Sequence, residues 1–187
     1  MKPIRRSIQK GFTLVELLIV VIILALLAAI VVPQFASSTD EAKEAALDST
    51  LANMRAAIDL YYQQHGEYPG ENTAVDAICT GTDGTGTGGA GATGVQAFKD
   101  QMSLYTDADG GACSVKDDNF KYGPYLKKSE LPPNPITGSS DFVVIDTGDL
   151  LMTGDGAGGG WKYDFVVGKF IANDTDLDPN NVAYDQR

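Results

Sequence analysis

Residues Gly11 to Phe35 read GFTLVELLIVVIILALLAAIVVPQF. From Phe12 to Val32 this stretch runs for 21 residues, and Glu16 is the only charged one among them. As a helix rising about 1.5 Å per residue it measures roughly 32 Å, which matches the hydrocarbon thickness of a bilayer. The segment is therefore read as a membrane span. A carboxylate within such a span costs on the order of 2.5–3.5 kcal/mol on insertion scales and usually has a partner. Glu16 needs one.

Charge is distributed unevenly around the span. Lys2, Arg5, Arg6 and Lys10 precede it, which leaves 10 basic against 25 acidic residues in the rest of the chain, a formal −15. Basic flanks stay in the cytoplasm, so the chain after the span is expected on the other side of the membrane. An acidic surface of this kind repels nucleic acid, and no nucleic-acid partner is expected. A secretory signal ending at Ala36-Ser37-Ser38 is the other reading of such a start. The apolar run is too long for it, and it contains Glu16.

The stretch KGFTLVELLIVVIILALLAAIVVP resembles the N-terminus of type IV prepilins and of the pseudopilins of type II secretion. The resemblance implies that Met1 to Gly11 is a leader, that a prepilin peptidase cuts between Gly11 and Phe12, and that the new terminal amine of Phe12 is methylated. Glu16 stands where the family has its glutamate, and Pro33 where many pilins have a helix-bending proline. The terminal amine and Glu16 are then one helical turn apart. The carboxylate can meet its own amine or a neighbour's. The family implies the neighbour: as subunits stack, the glutamate of one neutralises the terminal amine of the subunit ahead. Leaving either charge buried alone would cost roughly 3–5 kcal/mol.

The helical pattern continues past the span. In DEAKEAALDSTLANMRAAIDLYYQQH, Leu47, Leu51, Met54, Ile58 and Tyr61 recur at spacings of four and three, the stripe of an amphipathic helix that must pack on something. The pattern stops at Gly66 and Pro69. One long helix over residues 12–65 is expected, with its span at 12–32, bent or locally opened at Pro33. Residues 66–187 form the remaining domain, outside the cytoplasm.

That domain opens loosely. CTGTDGTGTGGAGATG, Cys79 to Gly94, has too little apolar surface to order itself and is expected as an exposed loop. Cys79 and Cys113 flank this region in a compartment where disulfides persist, and pairing is the simplest reading. Two free thiols or a metal pair are the alternatives. Farther on, DFVVID and WKYDFVV read as strands, with Trp161, Tyr163, Phe165 and Val167 on one face. A tight turn at Gly168-Lys169 leads to a last strand, Phe170 to Ala172. The fold class is α+β: a long N-terminal helix packed on a small antiparallel sheet with long loops, the fold that the pilin resemblance also implies.

A second resemblance lies at YGPYLKKSELPPNPITG, Tyr122 to Gly138, which is similar to a stretch of the major pseudopilin. It departs at Asn134 to Gly138, where that protein usually has Asp-Pro-Trp-Gly. The sequence TGDGAGGGW also precedes the last strands here, whereas the major pseudopilin ends in an acidic calcium-binding loop. In this chain Asp174, Asp176, Asp178 and Asn180 alternate in NDTDLDPNN, an echo of the start of an EF-hand. Calcium is the cofactor this suggests. A solvated acidic tail is the competing reading, because Pro179 stands where a flexible glycine is required.

Enzymatic motifs are missing from the sequence. His65, the single histidine, falls at a predicted helix end, where a cationic or C-capping role is expected. Neither a phosphate-binding loop nor a dinucleotide fingerprint appears. The expected function is that of a structural subunit of a pilin-like filament, of the type II secretion kind. Its partners would be copies of itself, other pilin-like subunits, the prepilin peptidase, an inner-membrane assembly platform and the bacterial inner membrane. A type IV pilus pilin and a tethered binding domain that does not polymerise are the alternatives.

Overall fold

The computed structural model describes residues 12–156 and 160–187. The leader, with Gly11 of the expected cleavage junction, lies outside the described residues. The chain divides into two compact units, Met1–Ala42 and Lys43–Arg187. Helix α1, Leu14–His65, begins in the first and ends in the second.

In the first unit, Leu14–Val32 has a mean hydropathy of 3.3 and none of it is buried, so it is long and apolar enough to cross a membrane. Its apolar side chains face outward all round, as in a helix that takes lipid or a neighbouring helix as its solvent. The helix continues through residue 33 without a break, contrary to the expected opening there. Proline removes only one hydrogen bond, and apolar spans tolerate this loss.

The second unit is built on the far half of α1. Leu47, Leu51, Met54, Ile58 and Tyr61 are all buried, as the stripe requires. The helix stops where expected: Gly66, at φ 77°, donates its N–H to the Tyr62 carbonyl at 2.8 Å, a glycine cap in the left-handed conformation. The stripe shares one core with Phe98 and Met102 of α2 (Ala92–Ser103) and with the aromatic face of a three-stranded sheet.

This sheet runs in the order β3 (Phe142–Ile145), β4 (Trp161–Asp164), β5 (Lys169–Ala172). A two-stranded antiparallel ribbon, β1 (Tyr105–Thr106) and β2 (Ala112–Cys113), precedes it. Two features differ from the sequence reading. First, the sheet is mixed, because β3 pairs with β4 in parallel and β4 with β5 antiparallel. The 15 sequence positions between Ile145 and Trp161 are enough for the crossover that parallel neighbours require. Second, β4 ends at Asp164, and the turn is Phe165 to Gly168 instead of Gly168-Lys169.

The cause of the second difference is the buried carboxylate of Asp164. One oxygen accepts from the N–H of Val166, and the other from Thr147 Oγ1, Gly148 N and Asp149 N. Gly168 completes the turn at φ 67°, and a Cβ there would meet the Tyr68 ring at 2.2 Å.

The Gly/Thr-rich stretch is also more ordered than its composition suggests. Gly84, Gly86 and Gly94 are buried, and α2 begins inside it. A Cβ on Gly86 would lie 1.9 Å from the Ala97 nitrogen, so the missing side chain lets the loop press against α2. Asp100 of α2 then accepts from the N–H groups of Thr85 and Gly86 at 2.7 and 3.2 Å.

Candidate assembly site

The first turn of α1 carries the residues singled out above. Thr13 is its N-cap: its carbonyl accepts the Leu17 N–H at 3.2 Å, and its Oγ1 accepts the Glu16 N–H at 3.2 Å. Glu16 reaches back, with Oε2 accepting from the Thr13 N–H at 2.9 Å and from the Thr13 hydroxyl at 2.8 Å. This is a capping box, in which cap and third residue satisfy each other's free backbone donors. Phe12, 82% exposed, lies just outside it.

The partner of Glu16 within one chain is thus Thr13, a residue the sequence reading passed over. The signal is T-x-x-E, Thr13 to Glu16, at the head of an apolar run. The capping box also fixes where the carboxylate stands: at the helix N-terminus, where the exposed N–H groups and the helix dipole favour negative charge. A carboxylate held there, beside Phe12, is pre-positioned to meet a cation.

In the second unit, Cys79 and Cys113 form the disulfide, with Cα atoms 5.5 Å apart. The two cysteines are 34 positions apart in the sequence. By the chain-entropy argument, a loop of this length stabilises the fold by roughly 3–4 kcal/mol.

Among the alternating acids near the C-terminal end, Asp174 and Asp178 are engaged by backbone N–H groups of their own loop. Asp174 and Asp178 are buried while Asp176 and Asn180 are exposed, so the four do not face one point. Asp174 Oδ1 accepts the Asp176 N–H at 2.9 Å. Asp178 Oδ1 accepts from Asn180 and Val182, each at 2.8 Å, and its other oxygen is held by the guanidinium of Arg187. Arg187 also reaches Glu44 at 2.8 Å and Asp48 at 3.1 Å on α1. Among the described residues no group of three or more acidic, His or Cys side chains could hold a metal ion. Of the four, Asp178 is the one whose charge Arg187 offsets. The backbone N–H of Val182 and then Arg187 hold the Asp178 carboxyl below the usual carboxylate range.

His65 does not act as a cation or cap. It lies half-buried against Tyr61, with ring centroids 4.0 Å apart, and its Nε2 is 3.0 Å from both Tyr125 Oη and Thr106 Oγ1. Burial pushes its pKa down, so the imidazole is neutral near pH 7.

Comparison with known proteins points to the same N-terminal segment. The family described as the prokaryotic N-terminal methylation motif matches residues 6–32. The chain is 40% identical over 68 residues to a fimbrial protein of Neisseria meningitidis serogroup B, covering 36% of this chain and 40% of that one. It is 39% identical over 74 residues to the type II secretion system core protein G of Pseudomonas aeruginosa, covering 40% and 52%. A type IV narrow pilus major component of Thermus thermophilus is 38% identical over 81 residues, covering 43% and 66%. The chain spans about half the length of the curated relatives it matches. No solved structure matches it.

Proposed function

We propose that this chain, which belongs through its N-terminal methylation motif to the pilin-like family, is a filament subunit of the type II secretion kind, a structural protein and not a catalyst. The observation that carries the proposal is the first turn of α1. An uncovered apolar helix begins with a glutamate fixed at its N-terminus, beside the residue that would bear the mature amine. A helix apolar on all sides needs lipid first and other helices later, and a carboxylate inside it sets the register of the stack.

In this reading a prepilin peptidase cuts after Gly11 and Phe12 is methylated. The mature subunit waits in the inner membrane with residues 66–187 outside the cytoplasm. An assembly platform then passes it into a filament, where Glu16 meets the Phe12 amine of a neighbour. The stretch Tyr122 to Gly138 and the similarity to core protein G support the secretion kind. The fimbrial relatives favour a second reading as a surface pilus subunit.

Two measurements test this. Intact-mass analysis of the membrane-extracted chain should give a mature protein starting at a methylated Phe12; a start at Thr39 would indicate an ordinary secretory signal. Deleting the gene should abolish export of secreted proteins and leave surface appendages in place, whereas the reverse outcome establishes the pilus reading.

A further inference from the structure

Two exposed features at opposite ends of β4 complement each other. At its Asp164 end, the loop after β3 projects Leu150 and Leu151, which are 70% and 83% exposed, with Val166 exposed in the adjacent turn. This apolar projection is rigidly held. Asp164 grips Thr147, Gly148 and Asp149, the Asp149 carboxylate accepts the Leu151 N–H at 2.8 Å, and Lys169 Nζ donates to the carbonyls of Leu150 and Met152 at 2.8 and 2.9 Å. Two leucines held in water by polar anchors have no role in the fold of their own chain.

The other end of β4 carries an open groove of about 430 Å³ between residues 126 and 133, walled by Leu126, Leu131, Pro132 and Pro133. It is fastened to that end of the strand: Trp161 Nε1 donates to the Pro132 carbonyl at 2.8 Å, and Asn134 Nδ2 to the Gly160 carbonyl at 2.8 Å. Charge distinguishes the two features. Lys127 and Lys128 on the groove are exposed and make no ion pair among the described residues, while Glu130 is offset by Lys99 at 3.8 Å. Beside the leucines, Asp146 and Asp149 are exposed and also make no ion pair there, while Asp155 is offset by Lys162 at 2.9 Å. In a chain with a net charge of −11, a pair of adjacent unpaired lysines is a specific place for an acidic surface to dock.

From this complementarity we infer that the Leu150-Leu151 projection of one copy seats in the 126–133 groove of a second copy, with Asp146 and Asp149 facing Lys127 and Lys128. The four residues of β4 span roughly 10 Å, so the two features cannot meet within one chain, and a contact between them joins copies head to tail. Unlike surfaces joined in this way do not close on themselves unless the rotation allows it, and they propagate as a helical filament. The inference rests on the filament reading and adds a second contact to it, outside the membrane helices.

The test uses the full chain, whose two native cysteines are already joined. Copies carrying Leu151→Cys and differently tagged copies carrying Pro133→Cys are co-expressed, and the membranes and sheared filaments are mildly oxidised. A cross-linked dimer bearing both tags is expected, with none from either substitution alone. Leu151→Cys cross-linking to itself would overturn the contact, as would no mixed dimer from preparations whose filaments are visible by electron microscopy. If the unaltered chain forms no filaments at all, the filament reading itself fails, and the contact with it. As a second arm, Lys127→Glu with Lys128→Glu should lower filament yield several-fold while the Cys79–Cys113 bond still forms, and Asp146→Lys should restore part of it. A yield unchanged by the double reversal would contradict the charge pairing.

Discussion

At the scale of single residues, the chain handles its isolated charges in two ways. Glu16 is satisfied by the cap of its own helix, and the acids at 44, 48 and 178 by one arginine. Arg187→Ala should therefore lower the melting temperature of the detergent-solubilised chain by several degrees, with no recovery on adding calcium. Recovery by calcium would restore the cation-site reading of Asp174 to Asn180. His65 gives a separate pH signature. Folded, its imidazole binds a proton more weakly than the unfolded chain does near pH 6.5, so the unfolded state takes up the proton first as pH falls. Stability should decline as pH drops below about 6.5 and be insensitive to this group above it. His65→Gln should flatten that part of a melting-temperature profile against pH. Asp178 acts in a lower window: its stabilisation is present above the unfolded carboxylate value near 3.9 and is lost as pH falls below it.

At the scale of elements, the helix was legible and the loops were not. Leu47, Leu51, Met54, Ile58 and Tyr61 carry a 3.6-residue period that only a helix with one buried face produces, and all five are buried. The Gly/Thr-rich stretch was misjudged because composition counts side chains, whereas here the missing side chains allow backbone to pack against α2. Nothing local to Asp100 announces that it will accept from Thr85 and Gly86, fifteen and fourteen residues earlier. The mixed sheet is illegible for a similar reason, since parallel pairing depends on the path of a crossover and leaves no period in the strands. Asp100→Ala would leave those two N–H groups without their acceptor, at a cost of about 1–3 kcal/mol. Amide exchange at Thr85 and Gly86 should quicken while exchange along the 47–61 stripe stays slow. Unchanged protection at both amides would show that the glycine contacts alone hold the loop.

At the scale of the whole molecule, the division of labour follows the hydropathy of the sequence. Residues 14–32 bury nothing within their own chain, and the core of residues 43–187 is complete without them. The motif marks Glu16 and Phe12, but not Thr13, whose role becomes plain only once the capping box is built. In the function proposed above, the carboxylate that the capping box holds in place would meet the next subunit's amine. The most direct test is filament yield from cells producing Glu16→Ala, counted by electron microscopy of the sheared fraction and normalised to the processed protein in the membrane. Normal insertion and cleavage with few or no filaments is the expected result; filaments as abundant as those of the unaltered chain would contradict assembly through Glu16.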